Sequence, residues 1–244
     1  NMSLFNSSNA KDISYMFYNC KSLSAFDFST FDTSKVKNMS HLFDGCQLYR
    51  IDLSNFDTSN VEDMSNMFEN NNYLNVPLIN NFNTKNVIDL SYMFENCNSL
   101  ISLDLNHFDT SKVKNMEHMF KYCTALREIK ISNFKTEQVI NMSEMFHTCR
   151  YLTKIEIDNF DLSAVSDISY MFYYCFSLTS LNLDNFRTTN VKNISHLFGE
   201  CTSLKSLSVS NFDTKNVEDM SGMFLDCGEI DELKISSFIT NNES

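Results

Sequence analysis

Cysteine is the residue type with the most reactive chemistry in this chain, and its eight copies follow one spacing rule. Eight thiols suggest several disulfides in a secreted protein, a four-thiolate zinc site, or a nucleophile beside a histidine. Each cysteine is, however, the third residue after a Met-Phe or Leu-Phe pair, so all eight are copies of one repeated position. We therefore predict buried free thiols, and bridges between neighbouring repeats remain the alternative. The cysteines are Cys20, Cys46, Cys97, Cys123, Cys149, Cys175, Cys201 and Cys227, and Asn71 takes the position once.

The histidines and acidic residues form no recognisable catalytic or metal-binding pattern. His118 and His147 lie about one repeat apart but at different repeat positions, and a nucleophilic pair of Cys149 with His147 would need an exposed thiol. A recurring aspartate that could bind calcium is interrupted by Lys135 and Arg187. We predict no catalytic residue, no metal site, no cofactor and no enzymatic activity.

The positions of phenylalanine reveal the organisation of the chain. Two columns of phenylalanine recur at steps of 26 residues, with a single step of 25 after Cys46, and they hold 19 of the 22 phenylalanines. Because each unit is too short to bury its own apolar face, neighbouring units must stack into a solenoid. The first column is Phe17, Phe43, Phe68, Phe94, Phe120, Phe146, Phe172, Phe198 and Phe224; the second is Phe5, Phe31, Phe56, Phe82, Phe108, Phe134, Phe160, Phe186, Phe212 and Phe238.

The unit from Cys97 to Cys123 changes its apolar period midway. Its first half, with Leu100, Leu103 and Leu105, predicts a short strand. Its second half places Val113, Met116, Met119 and Phe120 on one helical stripe. We expect a repeat solenoid of about nine 26-residue coils, with one parallel β-sheet and short helical or 3-10 segments on the opposite side. A threonine column from Thr33 to Thr240 predicts corner hydrogen bonds to the backbone.

The wording N-F-D-T-S-x-V-x-x-M-S-x-M-F-x-x-C-x-S-L-x-x-L-D-L resembles the BspA-type (Treponema-class) leucine-rich repeats of bacterial surface proteins and mycoplasma-like lipoproteins. The resemblance covers essentially the whole chain. It implies a right-handed, gently curved solenoid without catalysis, located at the cell surface or outside the cell, that adheres to host or matrix proteins. We expect residues 1–244 to be a single solenoid that belongs to a larger protein, or else to associate end to end.

Charge and hydropathy exclude two classes of partner. The net charge is −12 and no run of basic residues occurs, whereas phosphate binding requires clustered lysine and arginine. No apolar stretch approaches the roughly 18 residues that span a bilayer. The sequence therefore predicts a protein partner, with no nucleic acid and no membrane span.

One departure from the repeat predicts a binding surface. Aromatic residues gather around the corners of three successive coils, where an exposed cluster would suit a protein interface. The alternative is that these rings pack against neighbouring coils, in which case the array serves as a stalk or spacer with binding elsewhere in the parent protein. The residues are Tyr122, His147, Tyr151, Tyr170, Tyr173 and Tyr174, with Phe176 beside them.

Overall fold

The computed structural model describes residues 6–23, 27–235 and 238, and it confirms the stacked-coil architecture. A row of parallel bridges runs the length of the stack and joins equivalent positions of successive coils, from Asp12 and Asn38 to Asn193 and Asp219. Coils of 25 or 26 residues therefore lie directly above one another. Phe5 and Thr240, the outermost predicted members of their columns, are outside the described residues.

Among the described residues, six coils carry a short strand on the opposite side, whereas residues 154–156 form none. The strands of adjacent coils pair in parallel, two by two. The predicted parallel pairing is confirmed, but the structure shows three two-stranded sheets in place of one continuous sheet. Because each strand has only three residues, the loss of a few hydrogen bonds is enough to end the pairing. The strands are β1 Arg50–Asp52, β2 Val76–Leu78, β3 Ser102–Asp104, β4 Glu128–Lys130, β5 Ser206–Ser208 and β6 Glu232–Lys234.

The predicted helical segments are wrong: the described residues contain turns there and no helix. In each coil the residue two before the column phenylalanine and the residue two after it have positive φ. In the coil of Phe94 these are Tyr92 and Asn96, each with φ of 59°. An α-helix needs negative φ throughout, so two left-handed residues four positions apart prevent it. The apolar stripe is nevertheless buried as predicted, since Val113, Met116 and Met119 are fully covered.

These turns replace helical hydrogen bonds with bonds between coils. The backbone N–H groups of Tyr92, Phe94 and Asn96 each donate to a carbonyl of the next coil at 2.9 Å. The intervening residues donate within the coil, as Glu95 does to the Tyr92 carbonyl at 3.0 Å. Successive backbone N–H groups thus donate alternately to a carbonyl of the same turn and to a carbonyl of the next coil. Few buried backbone groups are therefore left without a hydrogen bond.

The core is a continuous ladder of phenylalanine rings. Rings of the first column stack nearly parallel, with centroids 5.5 Å apart for Phe68 and Phe94 and 5.8 Å apart for Phe94 and Phe120. Offset stacking at this separation is a favoured arrangement of aromatic rings. The threonine column forms the predicted corner bonds: Thr58 Oγ1 donates to the Asn83 carbonyl at 3.1 Å and accepts the Asn83 N–H at 2.7 Å.

The cysteine column consists of free thiols, as predicted. Six of them are buried, and Cys20 is exposed while Cys227 is half-buried. A typical member, Cys97, donates its thiol to the Phe68 carbonyl at 3.2 Å. Burial raises the pKa of Cys46 to about 11 and that of Cys175 to about 12. The buried column therefore lacks the thiolate that a nucleophile or a metal ligand requires.

Thr148 is a β-branched residue at a left-handed position, with φ of 62°. Four other coils have Asn or Gly at this position, as Asn96 shows, and these residues adopt positive φ at lower cost. We expect Thr148→Asn to raise the free energy of unfolding by about 0.5–1 kcal/mol in urea denaturation. Thr189→Asn, at an exposed position with ordinary φ, serves as the control and should change nothing. A less stable Thr148→Asn variant would contradict the prediction and show that the bond from Thr148 Oγ1 to His147 Nδ1, at 2.8 Å, outweighs the strain.

Candidate binding surface

Six predicted aromatic residues form one connected ring network on the turn side of the stack. His147 lies at its centre, with its ring centroid 5.3 Å from those of Tyr122 and Tyr173. Tyr173 and Tyr174 contact each other at 4.3 Å, and Tyr174 contacts Phe176 at 5.3 Å. We call this network the aromatic patch: Tyr122, His147, Tyr170, Tyr173, Tyr174 and Phe176.

The patch is layered, because its members differ in exposure. His147 is only 9% exposed and supports the tyrosines, whereas Tyr122 is 36% exposed and the other members are half-buried. Thr148 Oγ1 holds His147 Nδ1 at 2.8 Å. The Tyr173 ring lies against Gly199, where a Cβ atom would approach it to 2.7 Å. The sequence left open whether these rings are exposed or packed against neighbouring coils. In the structure His147 is packed, and the tyrosines are partly exposed.

Tyr151 is the one predicted residue that the structure leaves outside this network among the described ring contacts. Its side chain is 52% exposed and pairs with the guanidinium of Arg127, 5.2 Å from the ring centroid. A second arginine, Arg150, lies 5.8 Å from the centroid of Phe176. Two cation–π pairs therefore extend the aromatic surface toward the strand side.

A triad of two tyrosines and a histidine occurs twice, six coils apart. Tyr170 stacks on His196 with centroids 4.5 Å apart and an interplanar angle of 3°, and Tyr173 stands edge-on to Tyr170 at 5.2 Å. Tyr15 stacks on His41 in the same way at 4.3 Å and 13°, with Tyr18 edge-on at 5.6 Å. These triads were not predicted, although the tyrosines of both belong to the same recurring segment, D-I-S-Y-M-F-Y.

Beside the patch lies a charged cluster built on His118. Its Nδ1 is 3.2 Å from Glu95 Oε2 and its Nε2 is 3.3 Å from Glu144 Oε1. Burial by itself would lower the pKa of His118, but hydrogen bonds to the Glu144 and Glu95 carboxylates outweigh burial and raise the pKa to about 9. Burial likewise opposes the ionised form of Glu144, yet His118 and Lys121 lower its pKa to about 2. The cluster therefore holds a charged imidazolium at neutral pH.

The patch histidine behaves oppositely. Burial lowers the pKa of His147 to about 4, even though Glu144 lies nearby and favours the charged form. The Tyr174 hydrogen bond raises the pKa of the Tyr173 hydroxyl to about 12. His147 and Tyr173 are therefore both uncharged at neutral pH, which suits a contact surface that must lose water on binding.

The amino-acid sequence matches one known protein family over most of its length. The family described as "Mycoplasma protein of unknown function, DUF285" matches residues 11–102, 98–205 and 176–244, which together are most of the chain. The chain belongs to the DUF285 family. No curated protein matched this DUF285 chain.

Solved structures similar to this DUF285 chain include leucine-rich-repeat proteins of bacteria. One from Eubacterium ventriosum is 21% identical with a TM-score of 0.50, over 75% of this chain and 45% of that protein. The DUF285 chain thus spans less than half the length of that relative. The likeness shows the shared fold, so the predicted resemblance to BspA-type leucine-rich repeats is confirmed.

Two more distant structures have lower scores. A leucine-rich repeat protein from Bacteroides ovatus is 16% identical over 94% of this DUF285 chain and 72% of its own, with a TM-score of 0.42. A leucine-rich cell surface protein from Faecalibacterium prausnitzii is 15% identical over 85% and 80%, with a TM-score of 0.37. Within the described residues of the DUF285 chain, no helix is long and apolar enough to cross a membrane.

Proposed function

We propose that this chain is a non-enzymatic protein-binding module of the cell surface and that the aromatic patch is its contact site. The observation that carries the proposal is the connected ring network, in which half-exposed tyrosines rest on a buried histidine. Tyrosine is favoured at binding hot spots because it gives a large contact area with few rotatable bonds. The proposed partner is a host extracellular-matrix or cell-surface protein, as the resemblance to BspA-type repeats implies.

Rigidity of the patch supports this function. Tyr170 is stacked on His196, and its backbone bonds the next coil, with the N–H of Tyr170 2.9 Å from the Ser195 carbonyl. The rings are therefore ordered before a partner arrives. Less side-chain entropy is lost on association when contact residues are already fixed, so more of the contact energy appears as affinity.

The test is a binding screen of the folded chain against extracellular-matrix and cell-surface proteins, repeated with the double variant Tyr170→Asn/Tyr174→Asn. Asparagine occupies both positions in other coils, at Asn66 and Asn96, so the left-handed backbone is retained. We expect affinity for the partner to fall at least about 30-fold, as for loss of a hot spot.

The control is Tyr49→Ser/Tyr73→Ser, which removes two tyrosines that are 67% and 58% exposed elsewhere on the chain. Binding that survives in this control and is lost in the patch variant supports the proposal. Equal loss in both variants, or loss only in the control, would place the contact elsewhere and overturn it.

The second candidate is a stalk or spacer, and the unbroken phenylalanine ladder favours it because a continuous core makes a stiff rod. A folded chain that binds nothing in the screen would make this the better description. The expected larger parent protein and end-to-end association both stay predictions, and the mass of the isolated chain in solution tests the latter.

A further inference from the structure

His41, Asp44 and Glu69 bring three metal-binding side chains together on the turn side of two neighbouring coils. One ligand atom from each residue lies within 4.8 Å of the ligand atoms of the other two. His41 and Asp44 belong to one coil and are joined by a bond of 2.9 Å between Nδ1 and Oδ2, and Glu69 belongs to the next coil. Donor atoms bound to one zinc ion are about 3–4 Å apart, so small rotations of these side chains would place all three on one ion.

Two carboxylates approach each other here, and the imidazole of His41 is the basic group that contacts one of them. No lysine or arginine within the described ranges pairs with Asp44 or Glu69, although Asp44 is only 4% exposed. The site therefore has an excess of buried negative charge that a cation would relieve.

Neighbouring amides hold both carboxylates in place. Asn66 Nδ2 donates to Glu69 Oε2 at 2.6 Å, while Asn70 Nδ2 lies 3.1 Å from Asp44 Oδ1 and 3.0 Å from Glu69 Oε1. Tyr15 stacks on the His41 ring and fixes its plane. Such outer contacts orient ligands in established metal sites and strengthen metal binding.

The chain itself contains a version of this site that has a cation built in. Three coils further on, His118 occupies the position of His41, and Lys121 occupies the position of Asp44. The Lys121 ammonium lies 2.5 Å from Glu144 Oε2 and neutralises that carboxylate. In the next coil Glu144 occupies the position of Asn66, and His147 occupies that of Glu69. The turn of His118 therefore contains a lysine that pairs with a carboxylate, whereas the turn of His41 contains no lysine.

We propose that His41, Asp44 and Glu69 bind a first-row divalent transition-metal ion, with Zn²⁺ as its best representative. An imidazole nitrogen favours zinc, cobalt and nickel over calcium and magnesium, and two carboxylate oxygens complete a three-ligand set that leaves room for water. Because the ligands come from two successive coils, the ion would link those coils and stabilise the stack between them.

The first experiment is calorimetric titration of the folded chain with Zn²⁺, with Ca²⁺ titrated in parallel. We expect one zinc ion per chain and weaker binding of calcium. His41→Asn and Glu69→Gln should each weaken zinc binding at least about tenfold. His41→Asn is compatible with the left-handed backbone, because Asn66 occupies the same position one coil later.

The matched control is His107→Asn, which removes an exposed histidine from a column where most other members are asparagine, as at Asn133. It should bind zinc as the unchanged chain does. A zinc affinity that falls in the control but not in His41→Asn, or calcium binding as tight as zinc binding, would overturn the proposal. So would the absence of any metal binding by the folded chain.

Asp44→Lys provides a test that does not depend on losing a ligand. It places a lysine at the repeat position of Lys121, next to the Glu69 carboxylate, so we expect a higher melting temperature without metal and no further rise with Zn²⁺. The unchanged chain should show the reverse, a melting temperature that rises with Zn²⁺. Replacing zinc with Co²⁺ reports the ligands directly: a thiolate charge-transfer band would assign the ion to a cysteine such as Cys20 and refute the site.

Discussion

Replacing Asn71 with cysteine, the residue found at this position in the other eight coils, should lower the free energy of unfolding by about 2 kcal/mol. A consensus substitution normally stabilises a repeat protein. The opposite is expected here because Asn71 compensates for the residue that is missing from the preceding coil. Urea denaturation of the Asn71→Cys variant measures the effect.

The compensation is visible in the hydrogen bonds. In a regular coil the Leu100 N–H donates to the Cys97 carbonyl three residues earlier, at 3.1 Å. The shortened coil has only Gln47 between Cys46 and Leu48, so this turn cannot close. The buried Leu48 N–H donates instead to Asn71 Oδ1 at 3.0 Å. A cysteine thiol at position 71 would leave that N–H without a partner, and an unsatisfied buried donor costs about 1–3 kcal/mol.

A double-mutant cycle isolates this cause. Inserting one asparagine between Cys46 and Gln47 restores the regular coil length and gives the leucine N–H its usual carbonyl. In that background Asn71→Cys should cost nearly nothing, because the amide oxygen is no longer needed. An equal loss of stability in both backgrounds would show that Asn71 acts through its other bonds, such as the one to the Phe43 carbonyl at 2.8 Å.

The free energy of unfolding should pass through a maximum near pH 6.5, with losses of about 2 kcal/mol on each side. His118 and His147 cause the two slopes, because the fold raises the pKa of the first to about 9 and lowers that of the second to about 4. The reference value of both is 6.5. Denaturation curves collected from pH 4 to pH 9 would show the profile.

The signs follow from which state binds more protons. Above pH 6.5 the folded chain keeps the His118 proton that the unfolded chain releases, so stability present below that pH is lost as pH rises through 9. Below pH 6.5 His147 binds a proton in the unfolded chain but not in the folded chain, so the free energy of unfolding falls toward pH 4. His118→Asn should flatten the alkaline slope alone, and His147→Gln the acidic slope alone. A profile unchanged by both variants would contradict this assignment.

Periodicity was sufficient to predict the stacking, the parallel strands and the buried columns, because these depend on which residues are apolar and how often they recur. It failed for the turns, since the spacing of Val113, Met116 and Met119 fits a helix as well as it fits the observed chain path. Part of the signal that distinguishes them was present: Asn19, Gly45, Asn70 and Asn96 share one position in four of the coils, and these residue types tolerate positive φ. A column of such residues inside an apolar stripe indicates a left-handed corner.

The candidate sites were less accessible to sequence reasoning because they depend on contacts between coils. Clustering along the chain found the aromatic patch, yet it could not show that His147 would be buried beneath the tyrosines. Glu69 lies 28 residues from His41, one coil further on, and only the stacking register brings them together. A single repeat position, followed from coil to coil, does not show that His41 and Glu69 are close. Comparing neighbouring repeat positions of adjacent coils would show it.

The direction of the inter-coil hydrogen bonds determines how the array responds to force. Bonds such as that from the Phe94 N–H to the Met119 carbonyl run along the stacking axis, so a pull on the two ends loads the bonds of successive coils in series. Under tension one interface opens before the next, and the stack extends stepwise. Each released coil of 26 residues provides about 90 Å of extended chain where it had occupied about 5 Å. The molecule would therefore dissipate mechanical work by unfolding coil by coil when its two ends are pulled apart.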